Sequence, residues 1–185
     1  MDSQFVGLDA TAEVIEVAVR PTGEMWKTNF ADEKIAATAE RLKDLQPKLV
    51  VLEAAGTFEL PVAGVFAIYG VPFTMVNPRK IRDFARAIGR TTRSDNTQAG
   101  LLAHFGELIN PEPRPLPDAL IDKLKHLRAR RDNVMEILCL EKRHLVDAPS
   151  TVRIDIVRHI GFLEQNLTAL NQEFNRTVRS SVAWV

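Results

Sequence analysis

The chain opens with three short segments whose apolar positions follow strand patterns. Residues 4–9, QFVGLD, are a compact apolar run closed by an aspartate and predict a short buried strand. Residues 13–19, EVIEVAV, alternate with period two, setting Val14, Glu16 and Ala18 on one face and Ile15, Val17 and Val19 on the other. Arg20-Pro21-Thr22-Gly23 is a turn signal, and residues 24–30, EMWKTNF, predict a third strand. Connections this short favour an antiparallel meander, because parallel neighbours need long crossovers. The period then changes: residues 32–45 place Ile35, Ala39, Leu42 and Leu45 near one helical face. Pro47 breaks that pattern, and residues 48–53, KLVVLE, form a continuous apolar run ending in a carboxylate, as expected of a strand covered on both faces of a parallel sheet. A helix over 58–69 and a strand at 71–76, VPFTMV, make a further strand–helix–strand unit. Asn77-Pro78 opens the next helix, with proline in a favoured first-turn position, and that helix runs to Ile88 and stops at Gly89.

Three strands, helix, strand, helix, strand, helix is the element order of the ribonuclease-H-like α/β fold, a mixed sheet flanked by helices with its fourth strand parallel to its first. Sites in such sheets gather at the carboxyl ends of parallel strands, which predicts Asp9 and Glu53 side by side. Asp95, in RTTRSDNTQA, is expected at the start of a helix reaching residue 108, so that Asp95 and Gln98 share a helix face. Residues 110–118, NPEPRPLPD, hold four prolines and make a stiff boundary. Beyond it, Leu120, Leu124, Leu127, Val134, Ile137 and Leu138 keep coiled-coil-like spacing, as do Val152, Ile156, Ile160, Leu163, Leu167, Leu170, Phe174 and Val178. Pro149-Ser150 separates the two runs, with Ser150 as the expected N-cap. A short link between long helices predicts an antiparallel helical hairpin, or coiled coil. The expected organisation is a metal-binding domain over 1–110, a proline-rich connector over 111–118 and a hairpin over 119–180.

Composition changes this picture little. The chain has 185 residues, 45% hydrophobic and 26% charged, ordinary for a globular protein. With 24 basic and 24 acidic residues, bulk charge makes no case for nucleic-acid binding. Local charge does: Arg79, Lys80, Arg82, Arg86, Arg90 and Arg93 face one acid, Asp83, just before Asp95. Arg128, Arg130 and Arg131 form a second cluster. The single cysteine, Cys139, excludes an internal disulfide framework and a multi-cysteine zinc site, and its apolar neighbours predict a buried thiol. No apolar run approaches the roughly 18 residues of a membrane span and no signal peptide is visible, so a cytoplasmic location away from membranes is expected. His104, His126, His144 and His159 lack metal-ligand spacing, and neither a GxxxxGKS/T nor a GxGxxG loop is present.

A strand-end acid taken singly is usually a turn or cap residue. Two or three that converge repel one another, and a divalent cation removes that penalty. Oxygen-only ligands suit Mg2+ or Mn2+, and such ions serve phosphoryl transfer.

FVGLDAT at 5–11, VVLEAAGTFE at 50–59, VNPRKIRDFARAIGR at 76–90, RSDNTQAGLLAHF at 93–105, PEPRPLP at 111–117 and HIGFLEQNLTALNQEF at 159–174 together resemble the N-terminal part of the IS110-type transposases, whose catalytic domain is similar to the RuvC Holliday-junction resolvases. The resemblance implies a DNA transposase or recombinase with four magnesium-binding acids. The first three fall on Asp9, Glu53 and Asp95; the fourth position holds Gln98, followed by Ala99. It further implies DNA and a structured guide RNA as partners, a prokaryotic host and a homodimer or higher oligomer. Family members continue into a second domain bearing a serine nucleophile, so this chain is expected to be a fragment or truncated form. Two alternatives stand beside this reading: a non-catalytic nucleic-acid-binding and dimerisation module, favoured by Gln98, and an actin-like or sugar-kinase phosphotransferase, which GLDAT also fits.

Overall fold

The computed structural model describes residues 3–56, 58–89, 97–113 and 115–181. The chain divides into two compact units, Met1–Pro117 with Val178–Val185, and Asp118–Thr177.

The first unit is built on five strands: β1 (Phe5–Ala10), β2 (Val14–Arg20), β3 (Met25–Asn29), β4 (Leu49–Glu53) and β5 (Phe73–Val76). Their order across the sheet is β3-β2-β1-β4-β5. The first three pair antiparallel, and β1–β4 and β4–β5 pair parallel. This is the mixed sheet that the element order predicts. Ile15, Val17 and Val19 are almost completely buried, as the alternation of β2 requires. The four apolar residues of β4 are no more than 1% exposed, matching a strand covered on both faces.

Four helices cover this sheet: α1 (Asp32–Leu45), α2 (Glu59–Tyr69), α3 (Pro78–Ala87) and α4 (Gln98–Ile109). α1 buries Ile35, Thr38, Ala39 and Leu42 and closes on Gln46, whose left-handed backbone returns its N–H to the carbonyls of Leu42 and Lys43. α2 is apolar nearly all round and correspondingly buried, ending at Gly70. α3 starts at Pro78 with the Asn77 side chain accepting from the Arg79 N–H at 2.8 Å. α3 and α4 share one core with the sheet, formed by Phe5, Leu49, Val51, Val76, Ile81, Ala85, Leu101, Leu102 and Phe105. Side chains alternate along strands, so Phe5, Gly7, Asp9, Val51 and Glu53 share that face. Val6, Leu8, Val50 and Leu52 face the opposite layer.

The close approach of α4 to β1 has a specific cause. A Cβ placed on Gly7 would stand 2.0 Å from the Ala99 carbonyl oxygen and 2.3 Å from the Ala103 amide nitrogen. Ala18, Ala99 and Ala103 form a small-residue cluster at the same place. At the other end of α4, Arg20 holds Glu107 at 2.6 Å. A glycine inside a buried strand often marks such a backbone approach.

The second unit is a pair of long helices, α5 (Asp118–Val146) and α6 (Ser150–Ser181). Val134, Leu138, Ile160, Leu163 and Leu167 form their shared core. Lys123–Glu173 at 2.6 Å, Arg131–Asn171 at 2.7 Å, Lys142–Glu164 at 2.8 Å and Glu141–His159 at 2.9 Å show that the helices run antiparallel. The Lys123 ammonium pulls the Glu173 carboxyl below its ordinary pKa.

Three local expectations fail here. Cys139 is exposed, because it follows the buried Leu138 by one residue and so turns about 100° away from the seam. Ile137, next to Leu138, is 40% exposed for the same reason of phase, and Val152, in the first turn of α6, is 45% exposed. Ser150 is already helical: the Pro149 carbonyl accepts from Val152 and Arg153, so the helix begins one residue earlier than a Ser150 cap implies.

Replacing Gly7 by alanine should destabilise the first unit. Only backbone can yield at 2.0 Å, and overpacking of this kind costs about 1–3 kcal/mol or more. A thermal melt should show Tm lower by roughly 5 °C or more; an unchanged Tm would mean that α4 is not seated on Gly7.

Candidate functional site

Asp9 and Glu53 stand at the carboxyl ends of adjacent parallel strands. The β1–β4 register pairs Leu8 with Leu52, one residue before each acid. Across β2 and β3 the row continues, Asp9 opposite Glu16 and Glu16 opposite Lys27. Glu16 is mostly buried and lies 3.4 Å from the Lys27 ammonium. On the far side Glu53 is in register with Val76, the last residue before the Asn77 cap of α3. Both site acids are half-buried.

Burial pushes the Asp9 carboxyl above its ordinary pKa, and the charges of Glu16 and Glu59 add to the effect against one backbone hydrogen bond at Ala10. Burial also pushes Glu53 up. A hydrogen bond from Gln98 and the charge of Arg82 oppose this, while Asp9 and Glu59 reinforce it. The two acids therefore repel each other in a partly desolvated place, an unfavourable arrangement for a fold and a common one for a functional site.

Gln98 is the first residue of α4 and donates from Nε2 to Glu53 Oε2 at 2.5 Å. The Thr97 hydroxyl caps the helix by accepting from the Gly100 N–H at 3.1 Å. The described helix α4 runs from Gln98 to Ile109. Asp95 lies outside the described residues, as do Arg90 and Arg93.

The remaining predicted cations occupy α3. Ile81 and Ala85 bury into the core, and Arg79, Lys80, Arg82 and Arg86 are exposed. Arg86 pairs with Asp83 at 3.1 Å on the surface, a contact of little stabilising value. Because α3 springs from the strand beside Glu53, this basic face begins at the acids, and Arg82 is near enough for Glu53 to feel its charge.

Glu59 carries weight that the sequence reading gave it no share of. It is 3% exposed, opens α2 and accepts from the Gly56 N–H. Gly56 has φ +125°, a conformation open to glycine and strained for other residues. Glu59 thereby ties down the loop that follows Glu53, and its charge reaches both site acids. The available signal was an acid heading the otherwise apolar run LPVAGVFAIY.

A profile of DEDD transposases of the IS110 type matches residues 6–148. The chain belongs to that transposase family. Membership sets aside the actin-like and sugar-kinase alternative. Among curated proteins none matches the chain. Among the described residues of this transposase domain, no three His, Cys, Asp or Glu side chains form a group able to hold a metal ion, and no helix is long and apolar enough to cross a membrane. The two described carboxylates nonetheless suit a hard cation: both present oxygen, both are half-buried, and the charge of Asp9 helps raise the pKa of Glu53.

Without divalent cations, Asp9→Asn and Glu53→Gln should each stabilise the domain at neutral pH. The native state binds these protons more tightly than the unfolded chain, so the penalty is full above the raised pKa values and fades as pH falls through them toward the ordinary carboxylate range. The gain in Tm should be a few degrees at most, since both groups keep contact with water. Melts in chelator between pH 5 and 8 measure it. A variant that melts below the unsubstituted protein at neutral pH would contradict the repulsion.

Proposed function

We propose that this chain is the metal-dependent DNA-processing domain of an IS110-type transposase, with Asp9, Glu53 and Asp95 as ligands for Mg2+ or Mn2+. The observation that carries this reading is the pair Asp9 and Glu53, held half-buried at neighbouring ends of parallel strands with both pKa values raised. A bound ion would neutralise that pair and supply polarisation of a phosphodiester and activation of the attacking oxygen. Gln98, in the position of the fourth family acid, supplies no charge.

The exposed cations of α3 suit phosphate contact beside the acids: Arg79, Lys80, Arg82 and Arg86, with Arg90 and Arg93 following in sequence. They would hold a DNA backbone against the strand ends while the acids repel it unless a cation intervenes. A structured guide RNA is a second candidate for the same surface. The α5–α6 pair is suited to act as a coiled-coil dimerisation element in the unit beyond the 111–118 connector, since Met135, Ile137, Leu140 and Phe162 lie exposed outside its own seam.

One observation favours the rival reading of a non-catalytic binding module: the Gln98 amide already occupies Glu53. The two readings part on cation binding. Mg2+ or Mn2+ should raise Tm, and Asp9→Ala should abolish the rise; a melt indifferent to both ions would remove the metal from the proposal and leave the binding module.

Binding to branched DNA or structured RNA should weaken with salt. The double charge reversal Arg82→Glu with Arg86→Glu should weaken it further and lower the salt slope by about 0.9 per lost phosphate contact. Electrophoretic shifts at several salt concentrations give both quantities, and salt-independent binding would count against a phosphate-reading α3.

A further inference from the structure

Gln98 does more than leave a charge out. It stands as a donor on Glu53, with Nε2 2.5 Å from Oε2, one of the two carboxylate oxygens that a cation could use. We propose that Gln98 is an internal competitor of the cation, a positioning residue that holds Glu53 in the metal-free state and must let go before an ion can bind. This rests on the metal-binding reading above.

Three features support competition over ligation. A carboxylate can only accept, so the amide must turn its N–H toward Glu53 and its carbonyl oxygen away. The N–H and a divalent ion both present positive charge, so they compete for the negative charge of the Glu53 carboxylate. Gln98 is also the first residue of α4, whose N-terminal end is itself positive and favours an anion over a cation nearby. The backbone beneath it is fixed, by the Thr97 cap at 3.1 Å and by Ala99 pressed against Gly7, so release falls to side-chain rotation.

The test compares the 185-residue chain with Gln98→Ala and with Gln98→Leu, which keeps side-chain bulk if alanine proves too unstable to study. Tm is measured in chelator and across a MnCl2 titration, and isothermal titration with Mn2+ supplies a second readout. Competition predicts a lower Tm in chelator for both variants and a Mn2+ midpoint about tenfold lower, the order expected when a hydrogen bond to a charged group no longer has to be broken. A higher midpoint in the variants would make Gln98 a ligand, and an unchanged midpoint would make its role purely structural; either overturns the competition while leaving the metal site standing. If neither the parent chain nor any variant responds to Mn2+, the metal site itself falls and the competition with it.

Discussion

The arrangement depends on one contact, the seating of α4 on the backbone of β1 at Gly7. No side chain intervenes there, and the Ala99 carbonyl and Ala103 amide lie where a Cβ would have to be. Gly7 is two residues before Asp9 on the same face of the strand, and Ala99 directly follows Gln98. The same contact that closes the core therefore fixes the height of Gln98 above the strand ends. A helix held a side chain's thickness farther out would leave Glu53 without its donor and both acids open to water. The Arg20–Glu107 pair holds the far end of α4, so the helix can neither lift nor pivot freely.

Among the described residues, the electrostatics around that contact is arranged without a buried cation. Three helices begin at the acid edge: α2 at Glu59, α3 just after Val76, and α4 at Gln98. Each brings its positive N-terminal end to that edge of the sheet. Glu59 spends one such end on itself and on the Gly56 loop, and so returns negative charge to the neighbourhood. Lys27 answers Glu16 at the opposite end of the row. Asp9 is left with burial and two like charges against a single backbone hydrogen bond, which makes it the least compensated acid described. Stability alone would select against that position, and functional sites are where such costs persist.

Much of this was written locally. The period-two pattern of residues 13–19 fixes which face of β2 is buried, since a one-residue slip would expose Ile15, Val17 and Val19 together. The unbroken run of 48–53 identifies a doubly covered strand, and its terminal carboxylate marks the candidate site. Gly7 and Glu59 escaped notice because their roles arise between elements. A glycine in a strand signals close approach, but not of which helix, and an acid at a helix start resembles any cap. Ala99, Ala103 and Gly106 do carry a trace of the seat, small residues spaced along one face of α4. In the helix pair, the spacing identified the seam but also admitted Ile137, because apolar residues on a long amphipathic helix extend past the stripe that one partner can cover, and Val152, in the first turn of α6.

Gln98 shows how far a single residue can change the default state of such a site. A carboxylate there would add a further negative charge beside Asp9 and Glu53, both already raised in pKa, and an ion or a proton would have to relieve it. An amide reverses that demand. It removes a charge, supplies a donor to the acid nearest it, and does so from the positive end of a helix, so that three modest effects act in one direction on Glu53. Asp9 receives none of them directly. The two acids thus differ in what binds them to the metal-free state: Glu53 is held by a neighbour, whereas Asp9 is held only by its strand. On the proposed metal-binding reading, a cation would gain most at Asp9 and would contend with Gln98 at Glu53, so the unequal support of these two carboxylates, more than their number, would decide how readily the edge accepts an ion.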